Sequence, residues 1–376
     1  MQPENLFDPS HYESVRRPLL EATTLPPWCY TSAVFYEREV ECIFKRCWQF
    51  VGRSDEIPAP GDYLSFDGAG GPVVIIRGED QQIRAFYNVC RHRGTRMLDG
   101  MGCARRVVCP YHSWVYRTDG SLERAPGMAE TVGFDLEAEG LLPVRFSQWA
   151  GFMFICYAPD GPTLEHSLGN LPTFFESYQP YNLACVRRIE YQVQSNWKLL
   201  MENALEAYHT GTVHRDTLGR QDSKPVPSDG DWGALYAYID NHDSMAVLPG
   251  TATSLPHIEG LTGDQLGGTY FTDLYPCTQF VFAQDSMWWL AIEPTGVDTC
   301  KLVLGSCFPE STIALENFEA ALPSYYERWD RATPEDNAIA EAQQLGQSVN
   351  RPAGRFAAEE FCVHQLSNWV LDRVLD

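Results

Sequence analysis

The hydrophobic pattern changes period along the chain, and each change predicts a different kind of element. Over residues 32–48, Val34, Phe35, Val40, Ile43 and Phe44 recur at helical rather than alternating spacing, which predicts a helix with Thr31 as its cap. Pro26 and Pro27 stop any helix upstream, so residues 1–45 read as helical at both ends of a loop. From about Trp48 the runs are short and β-rich. GDYLSF, PVVIIRG and QIRAFYNVC are separated by Gly, Pro and Asp, the signature of an antiparallel β domain. RRVVCPYHSWVYRTDGSL continues it through a hairpin turn at Thr118-Asp119-Gly120, and residues 149–159, WAGFMFICYAP, supply its last buried strand.

The second half alternates less regularly. A helix is expected from Leu164 to Tyr178, then an alternating strand in CVRRIEYQVQ, then the helical stretch NWKLLMENALEAYHTGTVH at 196–214. Residues 215–268, rich in Gly, Pro, Asp and Ser, read as a pocket-covering region with one strand, ALYAYIDN. Strands return in GTYFTDLYP, TQFVFAQDS, MWWLAIEPTG and TCKLVLGSCF. Two helices close the chain, about 313–347 with a break near Thr333-Pro334, and about 356–375. Strands followed by helices fit an α+β domain. The expected organisation is an N-terminal helical segment, 1–45, packed on the last domain, a β domain at 46–160 and an α+β domain at 161–376.

Composition narrows the function. The formal net charge of −22 argues against nucleic acid as a partner, since binding it requires a basic face. It mildly favours a cationic substrate or a basic redox partner, although solubility alone explains it. There is no apolar run of about 18 residues, so no membrane span is expected, and the N-terminus lacks the apolar core of a secretory signal. Twelve cysteines in such a chain point to the cytoplasm, with metal ligation or buried thiols rather than a disulfide framework.

Two motifs carry the chemistry. Cys90-Arg91-His92 and Cys109-Pro110-Tyr111-His112 present C-x-H and C-x-x-H on two short loops. A Rieske [2Fe–2S] centre needs two cysteines on one iron and two histidines on the other, and this pair of loops supplies that set. Zinc is the competing reading, but zinc sites pair like ligands as C-x-x-C and H-x-x-x-H. Downstream, Glu206, His209 and His214 form E-x-x-H-x-x-x-x-H. Two imidazoles and one further carboxylate make the facial triad that leaves positions on Fe(II) open for oxygen. In an ideal helix His214 lies about 140° from His209, so a break is expected between them, at Gly211.

CRHRG and CPYHSWVY together with NWKLLMENALEAYHTGTVH resemble the catalytic α subunit of Rieske non-heme iron oxygenases over nearly the whole chain. ENALEAYH, FVGRSDEIPAPGDYLS and PEDNAIAEAQQLGQS most resemble the branch acting on quaternary amines: glycine betaine, stachydrine, choline and carnitine oxygenases. The resemblance implies a Rieske domain and a helix-grip catalytic domain. It implies Cys90, His92, Cys109 and His112 on the cluster, and His209, His214 and Asp336 on a mononuclear Fe(II). Asp336 competes there with Glu335, and Thr333-Pro334-Glu335-Asp336 also reads as a helix start. Glu206 resembles the carboxylate that links His112 of one subunit to His209 of its neighbour, a position where the family usually has Asp. That bridge implies a head-to-tail homotrimer, or a dimer of trimers.

The implied activity is that of a terminal oxygenase. A separate flavin/iron–sulfur reductase passes electrons from NAD(P)H, and O₂ is used to hydroxylate a small organic substrate. No G-x-G-x-x-G follows a strand, so no nicotinamide or flavin site is expected in this chain. Tyr236, Tyr238, Tyr270, Phe271, Tyr275, Phe280, Phe282, Trp288 and Trp289 are candidates for an aromatic cage around a methylated amine that is hydroxylated and then N-demethylated. Alternatively they form the core of the sheet, and the substrate is an arene or aromatic acid. A Rieske electron carrier without oxygenase activity is the alternative from another class.

Overall fold

The computed structural model describes residues 3–239 and 244–375. The chain forms two compact units, Phe44–Gly161 and the pair Met1–Ile43 with Pro162–Asp376.

The first unit is built from β1 (Gln49–Arg53), β2 (Asp62–Phe66), β3 (Val73–Arg77), β4 (Ile83–Tyr87), β5 (Met101–Cys103), β6 (Val107–Val108), β7 (Val115–Tyr116), β8 (Leu122–Arg124), β9 (Pro143–Trp149) and β10 (Phe152–Cys156). The larger antiparallel sheet runs β1-β10-β9-β4-β3-β2-β5, and β6-β7-β8 form a smaller one. β3 reads as a continuous apolar run because both its faces are covered. Val73 and Ile75 pack with Val51, Leu64 and Met153. Val74 and Ile76 pack under Cys90, Cys109, Trp114 and Tyr116.

The second unit carries an antiparallel sheet of β11 (Leu183–Val193), β12 (Ser223–Val226), β13 (Trp232–Tyr238), β14 (Gly268–Leu274), β15 (Thr278–Phe282), β16 (Met287–Gly296) and β17 (Thr299–Pro309), ordered β11-β17-β16-β15-β14-β13-β12. Of the strand expected at 234–241, Asp240 and Asn241 lie outside the described residues, and the 215–268 region holds β12 as well as β13. The long helix Phe318–Gln347 covers one face of this sheet. Phe318, Leu322, Tyr325 and Trp329, at helical spacing, pack with Val281, Trp288, Leu304 and Phe308.

Several expected boundaries move. Ser32, extended at φ −84°, caps the helix Ala33–Glu39 by accepting from the Phe35 amide at 3.3 Å. Thr31 instead ends the short helix Trp28–Thr31 and donates to the Pro27 carbonyl. The helix expected over 164–178 stops at Leu168, because Gly169 turns to φ +52° and a Cβ there would sit 1.5 Å from the Asp229 carbonyl oxygen. There is no break at Thr333-Pro334; both prolines, Pro323 and Pro334, lie inside the long helix. Tertiary ties hold that helix together on both sides of Pro334. The Tyr325 hydroxyl donates to Asp285 at 2.7 Å, while Glu341 and Gln344 accept from the Gln194 and Asn196 amides at 2.9 Å each. The last helix starts at Phe361 rather than 356, after a 3₁₀ turn at Ala358–Glu360.

Candidate metal centres

The two cysteine loops repeat one conformation. The Cys90 amide donates to the Thr95 carbonyl and its carbonyl accepts from Gly94; the Cys109 amide donates to the Trp114 carbonyl and its carbonyl accepts from Ser113. Each loop therefore needs a left-handed residue four places after the cysteine, and Gly94 (φ +73°) and Ser113 (φ +58°) provide it. That parallel between Gly94 and Ser113 is not visible in the residue types. Both cysteines are buried, and the rings of His92 and His112 lie 4.6 Å apart. Trp114 stacks on His92 at 5.0 Å.

The electrostatics suit ligation. Burial raises the Cys90 thiol, opposed by the Tyr116 hydroxyl 3.4 Å from its sulfur. Burial acts the same way on Cys109, but the Tyr111 and His112 amides outweigh it and hold the thiol below its ordinary value. His112 is shifted down by partial burial and by the charges of His92 and Arg93, which favours the neutral ring that binds metal. Both Nδ1 atoms are buried without a hydrogen-bond partner among the described residues. The four donors do not converge on one point as a tetrahedral zinc demands; among the described residues the group that does so is His209, His214 and Asp336. The loops fit a two-iron cluster.

In the other unit, the helix Trp197–Ala204 starts at Asn196, whose side chain accepts from the Lys198 amide at 3.0 Å and donates to the Val297 carbonyl at 2.6 Å. It ends where Gln279 donates to the Ala204 carbonyl at 2.8 Å. The break thus falls at Leu205–His209 and not at Gly211. Between the two histidines the chain makes one helical turn, Thr210–Val213, with His209 at its start and His214 at its end. The rings approach to 5.2 Å because each lies at a terminus, where the backbone leaves ideal helix geometry.

Asp336, on the long helix, reaches between them. Its Oδ1 lies 3.0 Å from His214 Nε2 and 3.4 Å from His209 Nε2, and it is buried without a hydrogen bond. The opposite ring nitrogens face other carboxylates. His209 Nδ1 is 2.6 Å from Glu206, and His214 Nδ1 is 2.7 Å from Glu335, which also accepts from Thr217. Glu335, the competing ligand candidate, therefore faces the far nitrogen of His214 and not the point where the other three donors converge. Glu206 sits in the break, not on a helix face shared with His209, and also accepts the His209 amide at 3.0 Å. Burial works against charge on His209, yet Asp336 and Glu206 lift it to about 9. Burial is likewise outweighed at Asp336, which the two imidazoles hold below its ordinary value. Two Nε2 atoms and one uncommitted carboxylate oxygen fit a facial iron site.

A cavity opens beside these donors. It is bordered by Leu200, Ala204 and Asn203, by Leu235, Phe271, Gln279, Leu290, Ile292 and Leu302 of the sheet, and by Arg328, Trp329 and Ala332 of the long helix. Leu218 and Gln221 of the 215–268 region also border it. Tyr208 is 64% exposed and does not. The aromatic cage is a correction: of the nine candidates only Phe271 borders the cavity. Strand register explains this for Tyr236, Tyr270 and Phe282. Tyr236, Tyr270 and Phe282 are cross-strand partners on one face, whereas Leu235, Phe271 and Val281 are partners on the other. The first set stacks with Phe175 and Tyr178 away from the cavity.

The catalytic-domain model of the ring hydroxylating alpha subunit matches residues 181–376, and the Rieske [2Fe-2S] domain model matches 47–141. The chain belongs to the Rieske oxygenase α subunits. As an α subunit of this family it carries a [2Fe–2S] cluster and a mononuclear iron, and it draws electrons from a reductase partner. It is 34% identical over 273 residues to the carnitine monooxygenase oxygenase subunit of Acinetobacter baumannii, covering 69% of this chain and 68% of that one. It is 37% identical over 196 residues to the glycine betaine monooxygenase oxygenase subunit of Chromohalobacter salexigens, covering 52% of this chain and 44% of that relative. The crystal structure of the quaternary ammonium Rieske monooxygenase CntA with γ-butyrobetaine superposes with a TM-score of 0.79 at 26% identity, covering 96% of this chain and 98% of the other. No helix among the described residues is long and apolar enough to cross a membrane.

Proposed function

We propose that this α subunit hydroxylates a methylated quaternary amine at a carbon bound to nitrogen, with Cys90, His92, Cys109 and His112 holding the cluster and His209, His214 and Asp336 holding the iron. One observation carries the reading: two Nε2 atoms and the unbonded Asp336 Oδ1 converge at the edge of a cavity lined mainly by aliphatic side chains. The quaternary amines named for its relatives support the substrate class. When bound, the two centres supply stepwise electrons and dioxygen activation. The chain's own groups do the rest. Glu206 and Glu335 fix both rings with Nδ1 protonated and Nε2 free, since an ionised carboxylate only accepts. The aliphatic walls exclude water. Insertion of one oxygen atom, the other leaving as water with two electrons and two protons, gives a carbinol. Its C–N bond then breaks, nitrogen keeps the electron pair, the hydroxyl loses its proton and a carbonyl forms.

We assign three segments, 1–45, 46–160 and 161–376, to the roles expected of them above. The reductase is of the flavin/iron–sulfur type using NAD(P)H, the assembly is a head-to-tail trimer or a dimer of trimers, and the enzyme works in the cytoplasm. Glu206 carries electrons from His112 of a neighbouring subunit to His209. A second reading, oxidation of an aromatic acid, is favoured by the same aliphatic walls and by the loss of the cage. Turnover with a competent reductase over a panel of betaines and aromatic acids tests the choice. The expected result is dealkylated amine in step with NADH consumption. Coupled turnover of aromatic acids alone rejects the amine reading.

A further inference from the structure

The cavity is bordered by a buried cation that makes no ion pair with any carboxylate among the described residues. Arg328 is 1% exposed, on the long helix, and borders the cavity eight residues before Asp336. Eight residues of helix set the two about 12 Å apart along the axis, on one stripe. Among the described residues no carboxylate pairs with its guanidinium. Nη1 meets the Val247 carbonyl at 3.5 Å, the limit of a hydrogen bond, and Nε is buried with no partner. The Trp329 ring centroid lies 5.7 Å from Cζ. Desolvation lowers its pKa to about 10, opposed by the charge of Asp336, so the group is still charged at neutral pH.

A buried, uncompensated guanidinium is costly, and proteins retain one where a ligand completes it. Its planar fork matches a carboxylate through paired hydrogen bonds. Glu206 borders the same cavity, beside His209. The cavity is therefore positive at the Arg328 end and acidic near the histidines. A purely cationic amine alcohol would add a second positive charge near Arg328, and an uncharged arene would leave the guanidinium unpaired.

We propose that Arg328 is a carboxylate-binding specificity residue, so that the substrate is a zwitterion: a trimethylammonium group toward the His209–His214–Asp336 end and a carboxylate on Arg328. This rests on the quaternary-amine reading for the ammonium end only.

The test is equilibrium binding to the wild-type holoenzyme without reductase, using γ-butyrobetaine, its methyl ester and benzoate. The acid should bind about 10- to 100-fold more tightly than the ester, the range for a charge-assisted hydrogen bond. Arg328→Gln should erase that ratio, and Arg328→Lys should keep part of it. Equal binding of acid and ester to the wild type overturns the assignment, whether or not the variants fold, and leaves the amine reading standing. Arg328-dependent binding of benzoate with no binding of γ-butyrobetaine retains the carboxylate site and overturns the amine reading.

Discussion

Asp336 and Glu335 are adjacent acids with separate partners. Asp336 points an uncommitted oxygen between two Nε2 atoms; Glu335 holds the far nitrogen of one ring. Asp336→Ala should therefore lose mononuclear iron while the cluster's spectrum persists, as metal analysis and EPR would show. Glu335→Gln should keep the iron but weaken its affinity about 10- to 100-fold. Equal loss in both variants rejects the division of roles. The ring environment also sets a pH dependence. In the metal-free protein His209 is raised to about 9, so below that pH iron must displace a proton. Iron affinity should rise with pH up to about 9 and then level, with proton release on binding measurable at pH 7. The residue types and spacings exposed the ligand candidates, because ligation chemistry is a property of side chains. They could not assign 335 and 336, since a helix turns about 100° per residue and only its phase against His214 decides which acid faces the metal.

At the scale of elements, the helix Trp197–Ala204, which leads into the turn between the two histidines, is anchored from the N-terminal segment. Lys198 and Glu39 pair at 2.6 Å with both side chains fully buried, and Glu39 also accepts from the Trp197 indole at 3.1 Å. Removing one partner strands a buried charge. Glu39→Leu should cost about 3–5 kcal/mol by denaturant unfolding, and the double variant Glu39→Leu/Lys198→Met should recover most of it. Additive losses would mean that the pair is not coupled. The apolar periods identified the strands and the long helix, but not their breaks. Gly169 and Pro334 read alike as interruptions; contact with the Asp229 carbonyl makes the first one real, and ties on both sides of the second keep the helix whole. The aromatic residues illustrate a different limit. Alternation already separates Tyr270 from Phe271, yet which face meets the long helix depends on packing that no single strand encodes.

At the scale of the whole molecule, the neighbour order β1-β10 and β11-β17 joins segments about a hundred residues apart, which local pattern cannot supply. The same holds for assembly, where the proposed path runs from one subunit's cluster to the next subunit's iron. That path makes a quantitative prediction. Mix subunits lacking the cluster, His112→Ala, with subunits lacking the mononuclear iron, Asp336→Ala, after dissociation and reassembly. Neither parent turns over. In random rings of three made from equal amounts, three-quarters contain both kinds, and each of these has one productive neighbour pair out of three, so about a quarter of wild-type activity should return. Adding Glu206→Gln to the subunit that retains iron should abolish most of that recovery, because the bridging carboxylate belongs to the accepting side. Placing the same change in the subunit that retains the cluster should leave the recovery intact. A mixture that stays inactive despite verified exchange would mean that electrons pass within one chain, and the carboxylate on His209 would then be only an orienting group.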